Sequence, residues 1–457
     1  MVFEYLIGIA ILAVYIWLIY FAVKGGNMTF GFIFVGVLWT IISLFGWHSG
    51  LLSPEFAAAN ESYVNDGIMA QINTVFQTGI RNQGLQTCDI VIGAWFGAVL
   101  MECGISQALI RRTVEFGGDR PVVVAGLLVV VVAALFTSIF GIGAVIAIGL
   151  IVLPILYSLG IPKTIATVSY LFAVASGNFM NPVLNAGSFG TYCVDAAGNP
   201  IYKFVDWGRE FGWFAMIVAT LFTLIFTIVL VNKSGKRKAW AAPVEQRTTE
   251  TKKEPPLFAL LLPFMPTLTI ILFKTENIPT FLFWSWVALA VCGRCKGIKN
   301  AAANFSKTGY NGVVESAGLI VFLLMLACIT KTINLAKPFL SLLIEPILPR
   351  NALVLCIAVA ILAPLALFRG PLTMYGTAGP IYIMLYSMGI YTHNFLFPLL
   401  MTPSIMMNMA ACPTQSYVAW GINYANIDTK DYIKYSIPLG WIACILCEVV
   451  VYVCTCL

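Results

Sequence analysis

The chain has 457 residues, of which 60% are hydrophobic and 10% charged, with a mean hydropathy of +0.90. That balance excludes a water-soluble globular domain of ordinary composition. The net charge of +6 sits in short loops, where the positive-inside rule needs it, so it does not indicate nucleic-acid binding.

Apolar runs long enough to cross a hydrocarbon core of about 30 Å recur from end to end, which predicts an all-α polytopic membrane protein; a barrel would need alternating polarity. The first run, VFEYLIGIAILAVYIWLIYFAV, carries Glu4 where a signal peptide would be basic and lacks a small-residue cleavage site, so it reads as a retained span. Spans are expected at about 3–23 and 29–46. In GIMAQINTVFQTGI the residues Ile68, Ile72, Val75, Phe76 and Ile80 follow helical spacing opposite Gln71, Asn73 and Gln77, the pattern of a helix lying in the interface plane.

Two more spans lead to GIGAVIAIGLIVLPILYSLGIP (141–162), a Gly-rich stretch interrupted by Pro154. It reads as a re-entrant hairpin or as one kinked span. Then IATVSYLFAVA runs into SGNFMNPVLNAGS (176–188), where a helix is expected to unwind between Gly177 and Pro182. A last span precedes the hydrophilic linker 232–256, placed in the cytoplasm by its positive charge. Lys24, Arg111, Arg112, Arg120, Arg294, Lys296, Lys299, Lys307, Arg369, Lys430 and Lys434 fall on that side if the spans alternate, with both termini outside.

The second half repeats the plan. Spans at 257–273 and 279–293 are followed by the shorter amphipathic piece KNAAANFSKTGYNG, two spans, the hairpin-like GPLTMYGTAGPIYIMLYSMGI (370–390) with Pro380, a break near Ala410 to Pro413, and a final span. Leu156-Tyr157-Ser158-Leu159-Gly160-Ile161 recurs as Leu385-Tyr386-Ser387-Met388-Gly389-Ile390, an offset of 229 residues that also maps Gly141 onto Gly370. An odd number of crossings before the linker turns the second copy over, predicting two inverted-topology repeats, 1–231 and 257–457, with re-entrant hairpins and broken helices.

Breaks at mid-membrane are tolerated only inside protein or beside a water-filled cavity. Ser176, Gly177, Asn178, Asn181, Asn185 and Ser188 from one half, with Asn408, Thr414, Gln415 and Ser416 from the other, are therefore candidate ligands of a small polar solute. The alternative is that the amides join helices. Arg369 opens a hairpin followed by Thr373, Tyr375 and Thr377; it would hold a carboxylate bidentately or anchor the span in the headgroups. Of the acids within spans (Asp89, Glu102, Glu315 and Glu448), Asp89 and Glu315 read as interfacial, and Glu102 is weighed as a proton carrier against a place near the cytoplasmic span end. His48 and His393 are the only histidines and Cys292 and Cys295 form an isolated span-end pair, which gives no support to a metal centre or another cofactor.

GAWFGAVLMECGISQALIRRTVEFGGDRP, the 141–162 stretch and the broken span ending SGNFMNPV resemble the ion transporter superfamily, in particular its gluconate, citrate, lactate and anaerobic dicarboxylate permeases. The resemblance covers most of both halves but lacks the Ser-Asn-Thr hairpin tips of the divalent-anion carriers. It implies proton- or sodium-coupled uptake of a small organic anion across a plasma or bacterial inner membrane. It also implies an elevator movement of a transport part (about 88–231 and 313–457) against a scaffold (about 1–87 and 257–312), in a homodimer; Asp89 and Glu102, as acids within spans, are the candidates for proton coupling. An exchanger or exporter of an amino acid or other anion is the alternative. ATP-driven pumping lacks a G-x-x-x-x-G-K-[ST] loop, an intramembrane enzyme lacks H-E-x-x-H or G-x-S-x-G, and a channel would show no saturable counterflow.

Overall fold

The computed structural model describes residues 2–118, 120–194, 201–234 and 255–456, and among them every regular element is a helix. Seven are long and apolar enough to cross a membrane: Val2–Val23, Met28–His48, Phe204–Lys233, Ile298–Ile344, Ala352–Arg369, His393–Ala425 and Thr429–Cys456. An eighth crossing is available if Thr87–Glu102 and Ile105–Gly117, which meet at 56°, count as one. The chain is an all-helical, multi-pass membrane protein.

The first helix shows how one apolar segment serves both lipid and core. Ile7, Ile11, Tyr15 and Leu18 recur at helical spacing and are buried, whereas Ile9, Ile16 and Tyr20 on the other side are exposed, the stripe expected of a span at the rim of a bundle. Asn27 caps Met28–His48 by accepting from the Phe30 N–H at 3.2 Å. Trp39 Nε1 donates to the Ile11 carbonyl at 3.0 Å and Trp47 Nε1 to that of Leu335 at 3.1 Å, tying the first two helices to each other and to Ile298–Ile344.

Three expectations are corrected by packing. KNAAANFSKTGYNG is no separate in-plane helix: it forms the opening turns of the 47-residue Ile298–Ile344. Glycine permits the continuity. A Cβ on Gly312 would stand 2.6 Å from the Trp95 backbone nitrogen, so the Gly84–Glu102 helix presses directly on this face while Trp95 Nε1 donates to Thr308 Oγ1 at 3.0 Å. In the first amphipathic stretch, Gln71 points inward, its Nε2 donating to the Tyr63 carbonyl at 2.6 Å. The third correction is that 141–162 contains one unbroken helix, Ile142–Ser158, with Pro154 inside it. The chain turns upstream, in 136–141, where Gly141 has φ +106°, a conformation that side chains rarely adopt. Proline removes one hydrogen bond from a packed helix; the positive φ redirects the whole chain.

Lys163–Asn178 lies at the centre, buried on every face from Ile165 onward. It packs on Pro121–Leu135, on Trp213–Lys233 and on Ser404–Ala411. Gly177 is required there, because a Cβ would fall 2.1 Å from the Ala133 carbonyl oxygen.

Candidate functional site

Two breaks meet in this core. In the first, the helix ends at Asn178 and a new one, Pro182–Tyr192, begins after three residues. Asn181 is its N-cap: Oδ1 accepts from the Val183 and Leu184 N–H groups, each at 3.0 Å, and Pro182 occupies the position where no N–H is missed. Its Nδ2 donates to the carbonyls of Phe136 (2.7 Å) and Ile139 (2.9 Å), in the turn that ends at Gly141. Asn185 Nδ2 donates to the carbonyls of Asn181 (2.9 Å), Asn178 (3.3 Å) and Phe179 (3.4 Å). This break is sealed by its own amides.

In the second, the π-helical Ser404–Ala411 gives way to extended Cys412, and a helix restarts as Ser416–Ala425. Beside it, Phe368 and Arg369 both adopt left-handed backbone conformations, φ 54° and 58°, which costs side-chain-bearing residues about 1–2 kcal/mol each. The turn they open is heavily braced. Thr373 Oγ1 donates to the Ala366 carbonyl at 2.6 Å, Met374 N–H to Ser404 Oγ at 2.7 Å, and Tyr15 OH to the Thr377 carbonyl at 2.6 Å.

Between the breaks and the 24–29 loop lies a cavity of about 530 Å³. Arg369, Asn408, Thr414, Gln415 and Ser416 line it, so five of the sequence-derived site residues come together there. Asn178, Asn185 and Ser188 stand behind the wall formed by Leu184, Tyr375 and Met409; Asn178 Nδ2 reaches Met409 Sδ at 3.8 Å. Asn178 Oδ1 and Asn185 Oδ1 are buried without a hydrogen-bond partner, each a cost of roughly 1–3 kcal/mol that water, an ion or a solute atom would relieve, while the hydroxyls of Ser188 and Tyr375 face each other.

The remaining expected residues do not line the cavity. Ser176 Oγ bonds to the Phe172 carbonyl within its helix, Gly177 is a packing contact, Asn181 is a cap, and Thr377 Oγ1 returns to the Arg369 carbonyl at 3.4 Å. Thr373 is likewise spent on its own turn. Glu102 pairs with Lys307 at 3.3 Å at the end of its helix, near the basic loop, and Asp89 is bonded by Asn277 at the start of another helix. Both are off the cavity. His393 is held by Tyr382, with OH to Nδ1 at 2.5 Å, and does not line it either.

Arg369 lines the cavity wall, its guanidinium carbon 5.4 Å from the centroid of the Phe322 ring, a contact worth about 0.5–2 kcal/mol. No carboxylate pairs with it among the described residues. Glu315, read from sequence as interfacial, also lines the cavity, next to Gly141 and Gly143. Its signal was its position seven residues before Phe322, visible only if 298–344 is known to be one helix. No family model matches the chain, and no curated protein matches it.

Proposed function

We propose that the protein is a secondary transporter that takes up a small carboxylate-bearing solute, an organic anion in the first instance, coupled to a proton or sodium gradient. The observation that carries this reading is the unpaired Arg369 guanidinium in a cavity of about 530 Å³ beside two broken helices. A desolvated cation without a counterion is expensive, and a substrate carboxylate is the ligand whose geometry matches a guanidinium. The cavity reaches the loop that follows Lys24, so the state described is open toward the side the positive-inside rule assigns to the cytoplasm.

The reading includes two inverted repeats. Adding 229 to the bounds 163–178 gives 392–407, against the observed His393–Pro403 continuing as Ser404–Ala411, and adding it to 142–158 gives 371–387, against Gly379–Ser387. A re-entrant hairpin made by Pro121–Leu135 and Ile142–Ser158 is supported by a small void lined by Ala125 and Leu128 from one and Val152 and Leu156 from the other. The matching hairpin is 352–387, its turn carrying Arg369. Because Ile298–Ile344 is one continuous helix packed on Met28–His48 and Gly84–Glu102, this reading starts the moving part of an elevator cycle beyond it and puts the homodimer contact on the static part. This reading calls for no bound cofactor; the unpartnered oxygens of Asn178 and Asn185 suit a coupling cation or ordered water.

The test is uptake of labelled carboxylates into proteoliposomes with pH and sodium gradients imposed separately. Accumulation driven by one gradient, lost in Arg369→Ala, is the expected result. Flux that responds to neither gradient, or shows no saturable counterflow, would sink the transporter reading.

A further inference from the structure

The cavity carries two charged side chains among the described residues, and they are of opposite sign: Arg369 and Glu315. The guanidinium carbon lies 5.4 Å from the Phe322 ring centroid, and among the described residues neither charge has an ion-pair partner. Their spacing follows from helix geometry. Glu315, Gly318, Leu319 and Phe322 all line the cavity and lie three, four and seven residues apart on Ile298–Ile344, so they form one stripe along which Glu315 and Phe322 are roughly 10 Å apart. Arg369 sits over Phe322. Glu315 is held at the other end by the start of the Ile142–Ser158 helix, where a Cβ on Gly143 would come 3.0 Å from Oε1. The two glycines leave room for the carboxylate at the rim of the space instead of excluding it.

We infer that the solute is a small zwitterion of amino-acid size, its carboxylate bound by Arg369 and its ammonium by Glu315. This deepens the transporter reading and rests on it. Arg369 and Glu315 face one cavity from different positions along this stripe, so a single small molecule with a carboxylate at one end and an ammonium at the other can reach both. The neutral groups Asn408, Thr414, Gln415 and Ser416 along the wall orient the solute without adding charge. A dicarboxylate of the same length would satisfy Arg369 and set its second carboxylate against Glu315. Like charges within a few ångströms in a partly desolvated site are a strong element of rejection. A simple monocarboxylate would leave Glu315 unpaired.

Counterflow in proteoliposomes loaded with unlabelled solute tests this directly, using alanine, γ-aminobutyrate and lysine against propionate and succinate. The amino acids should exchange at concentrations about 100-fold below those needed for succinate, a ratio set by one unfavourable charge contact. Glu315→Gln should erase that ratio and Glu315→Asp should restore most of it, with Arg369→Gln losing every substrate. Preference of the unmodified protein for succinate or propionate would overturn the inference while leaving a transporter. So would Glu315→Gln protein that keeps the amino-acid preference and loses only gradient-driven accumulation, since Glu315 would then carry a proton. Absence of counterflow for every class would overturn both readings. The panel on unmodified protein decides the matter even if Glu315→Gln fails to fold.

Discussion

The helices leading into the breaks at 179–181 and 412–415 pack against each other, and both breaks carry amides and small residues. They spend those groups differently. Asn181 commits its oxygen to two N–H groups and its nitrogen to two carbonyls, so its own amide is fully spent on the backbone of the first break. At the second, Asn408 gives its nitrogen to the Ala366 carbonyl at 3.3 Å while Thr414, Gln415 and Ser416 open onto the cavity with Arg369. A helix interruption in a membrane must first satisfy its own backbone, and only the polar groups left over are available to a solute. The same residue type is thus a cap in one place and a ligand in the other.

Substitutions can break this contrast. The largest effect is expected at Arg369: Arg369→Ala should lower uptake at least about 100-fold, the loss that follows removal of one partner of a desolvated charge pair, with normal insertion and an unchanged melting temperature. Equal loss of folding and uptake would make it structural. Asn181→Ala should act the opposite way, costing roughly 2–4 kcal/mol of stability from the lost cap and bridging hydrogen bonds; thermal melting in detergent reads it, and the surviving protein should bind solute within about twofold of normal. Asn408→Ala is expected to weaken solute affinity about 10-fold, the worth of one hydrogen bond, in a counterflow titration. Least of all, Glu102→Gln should change stability by less than about 1 kcal/mol, since its partner Lys307 is largely exposed, and pH-driven accumulation should persist; its loss would return Glu102 to a coupling role.

Much of the fold was legible. The first two spans fall where apolar length put them, because a run of about 20 apolar residues has few alternatives to a helix across lipid, whereas the expected spans at 257–273 and 279–293 are helices of 17 and 15 residues, shorter than the seven long ones. Both breaks were visible as Asn-Pro and Cys-Pro in otherwise apolar runs. Pro154 misled, since a proline inside a packed helix looks in sequence like a turn, whereas the turn is made by Gly141. KNAAANFSKTGYNG misled because its amphipathicity is satisfied by protein contact along Trp95 instead of by an interface.

Composition and periodicity alone therefore determined that the chain is helical, that it crosses the membrane many times, and roughly where its helices stop. They could not distinguish Asn181 from Asn408, or Glu102 from Glu315. Those roles depend on which backbone carbonyls and opposite charges arrive from segments some 40 to 200 residues away. Hydrogen bonds and ion pairs act over a few ångströms, and only the tertiary packing set those distances: it gave Glu102 to Lys307 and left Glu315 and Arg369 facing one cavity.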